Sequence, residues 1–208
     1  AHFLLYLAQL DGISYRMLVQ NVCTNAMYVC DEFGKMVPTS FSTEEETACD
    51  DDADRIVSIS GSQYFVHAIA YCEASDVKMF EHYPQVLVVD TMHKANKSHN
   101  LLNVVSVDGN LLNNPLLRAY IPCGTSAIYR WVLGVAMPSM IPRASLLQTE
   151  VVMSDSESAL TNVIDSLTCV GDILCNAVSM RCCWHMLDKN LADRFGAYGA
   201  DSWQARAI

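Results

Sequence analysis

The chain has 208 residues, of which 51% are hydrophobic and 17% are charged, which excludes a disordered chain and a small isolated module. The net charge of −10 argues against this segment as the main electrostatic contact with nucleic acid, because such surfaces are basic. Nine cysteines, an odd number without a framework spacing, indicate reduced thiols in an intracellular protein rather than disulfides.

The first predicted element is an amphipathic helix within residues 1–12. Its apolar face carries Phe3, Leu4, Leu7 and Leu10. The stretch is too short for a membrane span and has neither a basic leader nor a cleavage site, so we expect no membrane partner. The chain begins without methionine and stops without a closing pattern, and we therefore expect a fragment of a longer protein.

A β-hairpin and an acidic segment follow. Residues 15–23 and 26–30 read as two strands separated by Thr24 and Asn25. Residues 44–54 concentrate acidic side chains without apolar periodicity, which favours a solvated loop over a cation site.

From residue 66 onward, strands alternate with helices. The strands are predicted at residues 66–72, 85–90, 101–107, 117–123, 150–155 and 177–185. The helices are predicted at residues 73–83, 126–140, 156–167 and 186–196. Ser75 or Asp76 is expected to cap the first of these helices, and Asp155 or Ser156 the third. The second should bury Ile128, Trp131, Val132 and Val135 and end near Pro138. Asp108 and Gly109 predict the turn between the third and fourth strands.

Two aspartates stand at predicted strand ends. Asp90 closes the apolar strand 85–90, and Asp155 follows the strand that comes after the second helix. If these strands are neighbours, both carboxylates emerge at the same edge of the sheet. Carboxylate oxygens suit a hard cation such as Mg²⁺, which can support phosphodiester chemistry. The alternative is that Asp90 caps a turn and Asp155 caps a helix.

An ordered set of segments resembles a known family. The segments are YPQVLVVDTMHKAN, LLNVVSVDG, LRAYIPC, YRWVL, VVMSDSESALTNVI and CCWH. In this order they resemble the catalytic domain of Mutator-like transposases, including the plant far-red-response regulators derived from them, over about residues 1–195. The likeness lies in the whole set and in no single motif.

The resemblance implies a fold and a site. It implies an α/β fold, with an incomplete RNase H-like mixed sheet flanked by helices in residues 84–208. A small helix, hairpin and acidic-loop region precedes it in residues 1–83. Asp90 and Asp155 match the first two catalytic acids of a DDE triad that cuts and joins transposon ends. In the complete enzyme they would bind Mg²⁺ or Mn²⁺.

The family's further features match only in part. Cys182, Trp184 and His185 match its Cys and His motif. The third acid, a glutamate, lies beyond a helical insertion after that motif. We expect this chain to end before it and to be inactive alone. Three later acids lie too early to replace it: Asp188, Asp193 and Asp201. Packing and hydrogen bonding are favoured for Cys182 and His185 over a zinc site completed by other cysteines, namely Cys169, Cys175 and Cys183.

Residues 93–100 combine His93, Lys94, Lys97 and His99 beside Asp90, and predict either contacts with a DNA backbone or a solvated loop. The resemblance implies a nuclear transposase fragment whose full-length form binds terminal inverted repeats, and it leaves room for a homo-oligomer. A domesticated, non-catalytic DNA-binding regulator or scaffold is the alternative. A different RNase H-like nuclease is a third, for which the Cys and His motif would have no purpose.

Overall fold

A ten-stranded sheet dominates the structure, a computed structural model that describes residues 12–39, 56–96 and 99–182. The fold is mixed α/β, with a large, mostly antiparallel sheet flanked by few helices. The strands are β1 Ile13–Asn21, β2 Met27–Asp31, β3 Met36–Pro38, β4 Ile56–Ile59, β5 Ser62–Glu73, β6 Val86–Asn96, β7 His99–Val107, β8 Asn113–Ile121, β9 Val151–Ser154 and β10 Val178–Arg181.

The helices are short, and most follow β8. They are α1 Ala74–His82, α2 Ser126–Trp131, α3 Met137–Met140, α4 Arg143–Leu146 and α5 Ser158–Leu167. A π-helical turn, Val132–Ala136, connects α2 to α3. In the part of the chain that the structure describes, no helix is long and apolar enough to cross a membrane.

The sheet has an antiparallel part and a parallel edge. Its strand order is β10-β9-β6-β7-β8-β5-β1-β2-β3, with β4 paired to β5. The pairs β6–β9 and β9–β10 are parallel, and the others are antiparallel. A parallel neighbour needs a long crossover, which the α2–α4 segment supplies between β8 and β9, and α5 between β9 and β10. Strands β1–β5 belong to the same sheet, and the boundary between residues 83 and 84 stays a prediction.

Two groups of buried side chains hold the sheet together. The main core joins one face of the sheet to α2, α3 and α5, and includes Leu102, Val104, Leu117 and Trp131. The small cluster lies on β1, β2 and β5 and consists of Tyr15, Met17, Val19, Cys30 and Val66. Residues alternate in burial along a strand because successive side chains point to opposite faces. Leu18 accordingly belongs to the main core and Val19 to the small cluster.

Several sequence predictions are confirmed. β1 and β2 form the predicted hairpin, and the strands from residue 66 onward appear in the predicted order. The turn between β7 and β8 is also present, and the Asp108 carboxylate accepts hydrogen bonds from the backbone N–H groups of Asn110 and Leu112. The opening helix, the acidic segment and the helix at residues 186–196 lie outside the described residues.

Other predictions are wrong in detail. The N-caps of α1 and α5 are Glu73 and Glu157, and neither side chain makes a capping hydrogen bond. Val135 was expected on the buried helix face but is 42% exposed. It lies in the π-helical turn, where the wider winding shifts the buried face away from an α-helical period. The short elements β3, β4 and α4 were not predicted.

Candidate functional site

Asp90 lies in the interior of β6, not at the end of a strand. The strand continues to Asn96, so the predicted end at residue 90 is wrong, and so is the alternative that Asp90 caps a turn. Asp90 is exposed, while Val89 and Thr91 on either side of it are buried. Alternation along the strand therefore places the Asp90 carboxylate on the face opposite to the core. The charge stays in contact with solvent and avoids the free-energy cost of burial.

Asp155 directly follows the last residue of β9. Val89 on β6 pairs with Ser154 on β9 in the parallel ladder. Asp90 and Asp155 thus occupy the next position along two neighbouring strands, whose backbones run about 4.8 Å apart. The backbone N–H groups of Glu150 and Val151 both donate to the Gln85 carbonyl, which fixes the start of this pairing.

The environment of Asp155 is a tight turn before α5. The Glu157 N–H donates to Asp155 Oδ1 at 3.2 Å, and Ser154 Oγ donates to the Asp155 carbonyl at 3.1 Å. Because the N-cap of α5 is Glu157, the alternative that Asp155 caps this helix is wrong. The other oxygen of the half-buried Asp155 carboxylate, Oδ2, accepts no hydrogen bond from the described residues.

A hydrogen-bonded network of three side chains lies beside the two aspartates. Tyr129 on α2 donates from its hydroxyl to Glu157 Oε2 at 2.8 Å. Thr91 Oγ1 lies 3.2 Å from the same hydroxyl oxygen. The Tyr129 hydroxyl has one proton to donate, and it donates this proton in its hydrogen bond to Glu157. The Thr91 hydroxyl is therefore the donor in the hydrogen bond between Thr91 and Tyr129. We call these three side chains the Thr91–Tyr129–Glu157 network.

The Tyr129 phenol remains protonated in this site. Burial is the largest cause that raises its pKa above the usual value, and the hydrogen bond and charge of Glu157 and the charge of Asp155 raise it further. The hydrogen bond from Thr91 acts in the opposite direction. A neutral phenol is the state that can donate to the Glu157 carboxylate, so the network is self-consistent.

Gly124 makes room for this network. A Cβ at residue 124 would lie 2.5 Å from Glu157 Oε1 and 2.8 Å from Tyr129 Oη, both closer than carbon and oxygen normally approach. The loop between β8 and α2 therefore passes directly against the network. Any other residue at this position would force one of the two side chains to move.

The donor set suits a hard cation but does not form a complete cage. Asp90 and Asp155 contribute carboxylate oxygens, the ligands that Mg²⁺ prefers. Within residues 12–39, 56–96 and 99–182, no three His, Cys, Asp or Glu side chains come together in a way that would hold a metal ion. The remaining coordination positions would therefore fall to water or to phosphate oxygens.

The Cys and His motif lies next to this edge of the sheet where it is described. Cys182 is half-buried, and its backbone N–H donates to the Ser154 carbonyl at 2.7 Å, extending the β9–β10 ladder to the level of Asp155. Trp184 and His185 lie outside the described residues. The prediction that Cys182 serves in packing rather than in a zinc site stays a prediction.

The basic segment is not the predicted loop. β6 runs through His93 and Lys94 to Asn96, and β7 begins at His99, so most of this segment is strand. The His93 side chain is exposed, and Lys97 lies outside the described residues. DNA contacts of Lys94 and Lys97 stay a prediction.

Sequence reasoning found the two aspartates but missed Thr91, Tyr129 and Glu157. Two of them were visible as polar residues one position after Asp90 and two positions after Asp155. Tyr129 carried no such signal, because an aromatic residue within an apolar helix reads as core. No protein family model matches the chain, and neither a curated protein nor a solved structure matches it.

Proposed function

We propose that the chain forms part of the catalytic domain of a Mutator-like transposase, with Asp90 and Asp155 as metal ligands. The observation that carries the proposal is the register of β6 and β9, in which the two acids occupy the position after the Val89–Ser154 pair. This register brings the two acids to neighbouring positions, as a shared cation requires.

The strand order supports an RNase H-like assignment. β6, β7 and β8 form an antiparallel meander, and β9 and β10 then add in parallel on the other side of β6, giving β8-β7-β6-β9-β10. The resemblance implies an RNase H-like sheet that carries the first two acids of the triad. In this sheet Asp90 lies on β6, and Asp155 follows β9, its parallel neighbour.

The two carboxylates suit the metal chemistry of DNA cleavage. A bound Mg²⁺ or Mn²⁺ would activate a water or hydroxyl and stabilise the leaving oxygen of a phosphodiester. The exposure of Asp90 leaves its carboxylate accessible to a cation and to a DNA phosphate, while the turn at Asp155 holds the second carboxylate. The net charge of −10 implies that recognition of terminal inverted repeats depends on segments other than this one, in a nuclear full-length protein.

The test is Mn²⁺ binding to the 208-residue chain, followed by electron paramagnetic resonance of the free ion. We expect weak but measurable binding that is lost in Asp90→Asn and in Asp155→Asn, because the amide keeps the shape and loses the charge. Asp165→Asn is the matched control, since Asp165 is an exposed acid on α5 paired with Arg181 at 3.8 Å. Circular dichroism should show that all variants are folded.

The control decides between specific and diffuse binding. If Asp165→Asn lowers Mn²⁺ binding as much as the other two substitutions, the acidic chain attracts cations without a site and the metal-ligand assignment is wrong. Loss of DNA cutting in Asp90→Asn and Asp155→Asn of a protein that also carries the family's glutamate would extend the proposal from binding to activity. A folded chain that binds no Mn²⁺ would favour the non-catalytic regulator.

A further inference from the structure

We propose that Tyr129 is a positioning residue that holds Asp90 and Asp155 in place from the buried side of the sheet. This inference rests on the proposed function, and its observation is the Thr91–Tyr129–Glu157 network. The three side chains come from β6, α2 and the turn before α5, and each end of the network lies within two residues of one of the acids.

The first link connects Tyr129 to the strand that carries Asp90. Thr91 follows Asp90 directly, and its side chain is buried while that of Asp90 is exposed. The hydrogen bond of Thr91 to Tyr129, 3.2 Å between oxygens, therefore restrains the backbone of β6 from the core side. Asp90 is presented on the outer face of the same restrained segment.

The second link connects Tyr129 to the turn that carries Asp155. The Tyr129 hydroxyl donates to Glu157, and the Glu157 backbone N–H donates to Asp155 Oδ1. Glu157 is the N-cap residue of α5, yet its carboxylate makes no capping bond. The side chain is turned toward Tyr129 instead, so the orientation of Asp155 depends on a contact across to α2.

The phenol is well suited to join the two links. Tyr129 is fully buried, and α2 is preceded by its N-cap Thr125, whose side chain accepts a hydrogen bond from the Ile128 N–H. Gly124 lets the loop between β8 and α2 pass directly against both Tyr129 and Glu157. The network therefore links the segment of β6 that carries Asp90 to the turn that carries Asp155.

The role assigned to Glu157 differs from that of a metal ligand. Its carboxylate faces the Tyr129 hydroxyl, and no third ligand joins Asp90 and Asp155 among the described residues. A glutamine at residue 157 could still accept the phenol's hydrogen bond, whereas an alanine could not. This difference separates a positioning role from a role of the negative charge.

The first experiment measures Mn²⁺ affinity in the 208-residue chain by electron paramagnetic resonance. Tyr129→Phe and Glu157→Ala should each weaken Mn²⁺ binding about tenfold, because groups that orient metal ligands contribute at that level. Glu157→Gln should retain most of the affinity. Tyr28→Phe, which removes a phenol on β2 far along the sheet, should leave it unchanged. Equal losses in Glu157→Gln and Glu157→Ala would overturn the positioning role in favour of charge.

The second experiment needs no metal. Hydrogen exchange followed by nuclear magnetic resonance reports on the Glu157 N–H, which donates to Asp155 Oδ1. This amide should exchange several-fold faster in Tyr129→Phe than in the wild type or in Tyr28→Phe. An unchanged exchange rate overturns the inference. If Tyr129→Phe speeds this exchange but the wild-type chain binds no Mn²⁺, the positioning of Asp155 stands and the proposed metal site is wrong.

Discussion

The two sides of the sheet, β1–β5 and β6–β10, bury different polar groups. Strands β1–β5 pair only in antiparallel fashion, bury the Cys72 thiol, and bring His67 and Gln20 together with 3.0 Å between Nε2 and Oε1. On the β6–β10 side, the buried Thr91 and Tyr129 hydroxyls bond to each other and to Glu157. The parallel pairs occur on the β6–β10 side, and parallel strands need helices that cross the sheet.

The crossing helices explain why the candidate site lies on the β6–β10 side. Residue 129 is 38 positions from Thr91 and 28 from Glu157, and only the crossover places it between them. Crossovers thus gather polar groups from distant parts of the chain at one edge of the sheet. The β6–β10 side also holds buried polar atoms without a hydrogen-bond partner in the part of the chain that the structure describes, on Ser106, Trp131 and Thr149.

The largest expected effect concerns the Cys72 thiol on the β1–β5 side. Burial raises the pKa of Cys72 from 9.0 to about 12, with Arg16 opposing the rise and Glu32 and Asp76 adding to it. The folded pKa lies above the unfolded one, so the stabilisation is complete below pH 9 and is lost as pH rises toward 12. Three pH units correspond to about 4 kcal/mol.

Between pH 9 and 12, we therefore expect the free energy of unfolding to fall less steeply with pH in Cys72→Ala than in the wild type. The two slopes should differ by about 1.4 kcal/mol per pH unit. Urea denaturation across this pH range measures the slope. Val66→Ala is the control, because it weakens the same side of the sheet and keeps the thiol. Parallel curves for the wild type and Cys72→Ala would show that the thiol is not held neutral by the fold.

A smaller effect compares packing on the two sides. Val104 on β7 and Val19 on β1 are both fully buried, the first in the main core and the second in the small cluster. Val104→Ala should cost about 2 kcal/mol, from the lost methyl groups and the cavity that remains. Val19→Ala should cost about 1 kcal/mol, because partly exposed neighbours such as Tyr28 and Tyr64 can relax into the space.

Urea unfolding midpoints at neutral pH give both values, provided that the slopes of the two transitions agree. Equal costs would mean that the small cluster is as tightly packed as the main core. The contrast between the two sides would then rest on polar groups alone.

Much of the fold could be predicted from local pattern. The β1–β2 hairpin, the β6–β7–β8 meander and the order of later strands and helices follow from apolar runs separated by turn residues such as Asp108. The prediction that Val135 lies on the buried face of the second helix was wrong, because a π-helical turn changes which side chains are buried. Such a turn leaves no signal in the composition of the sequence. The prediction that this strand ends at residue 90 failed, because the polar residues that follow Asp90 resemble a loop in the sequence.

The candidate site was predictable only in its acids. Asp90 and Asp155 end apolar runs of the sequence, and their neighbouring positions follow from a crossover between parallel strands. The contacts of Tyr129 depend on where α2 crosses the sheet, and the space at Gly124 depends on how the loop after β8 passes Glu157. Both are tertiary arrangements without a local sequence signal.

The smallest expected effect tests how closely Gly124 packs against the Thr91–Tyr129–Glu157 network. Gly124→Ala places a methyl group 2.5 Å from Glu157 Oε1 and 2.8 Å from Tyr129 Oη. The Glu157 carboxylate ends a flexible side chain and can shift, so the cost should fall near the lower end of roughly 1–3 kcal/mol. The shift should also weaken the hydrogen bond from Tyr129, visible as faster exchange of the Glu157 amide.

Gly134→Ala is the matched control for this substitution. A Cβ at residue 134 meets Leu167 Cδ2 at 3.4 Å, an ordinary contact, and Gly134 lies in a helical segment where alanine is favoured over glycine by about 0.5–1 kcal/mol. Urea unfolding should therefore show Gly134→Ala at least as stable as the wild type and Gly124→Ala less stable. If both variants match the wild type and the Glu157 amide exchanges at its original rate, Glu157 is free to leave Tyr129. The β6–β10 side would then hold its polar groups no more firmly than the β1–β5 side, and the contrast between the two would be one of connectivity alone.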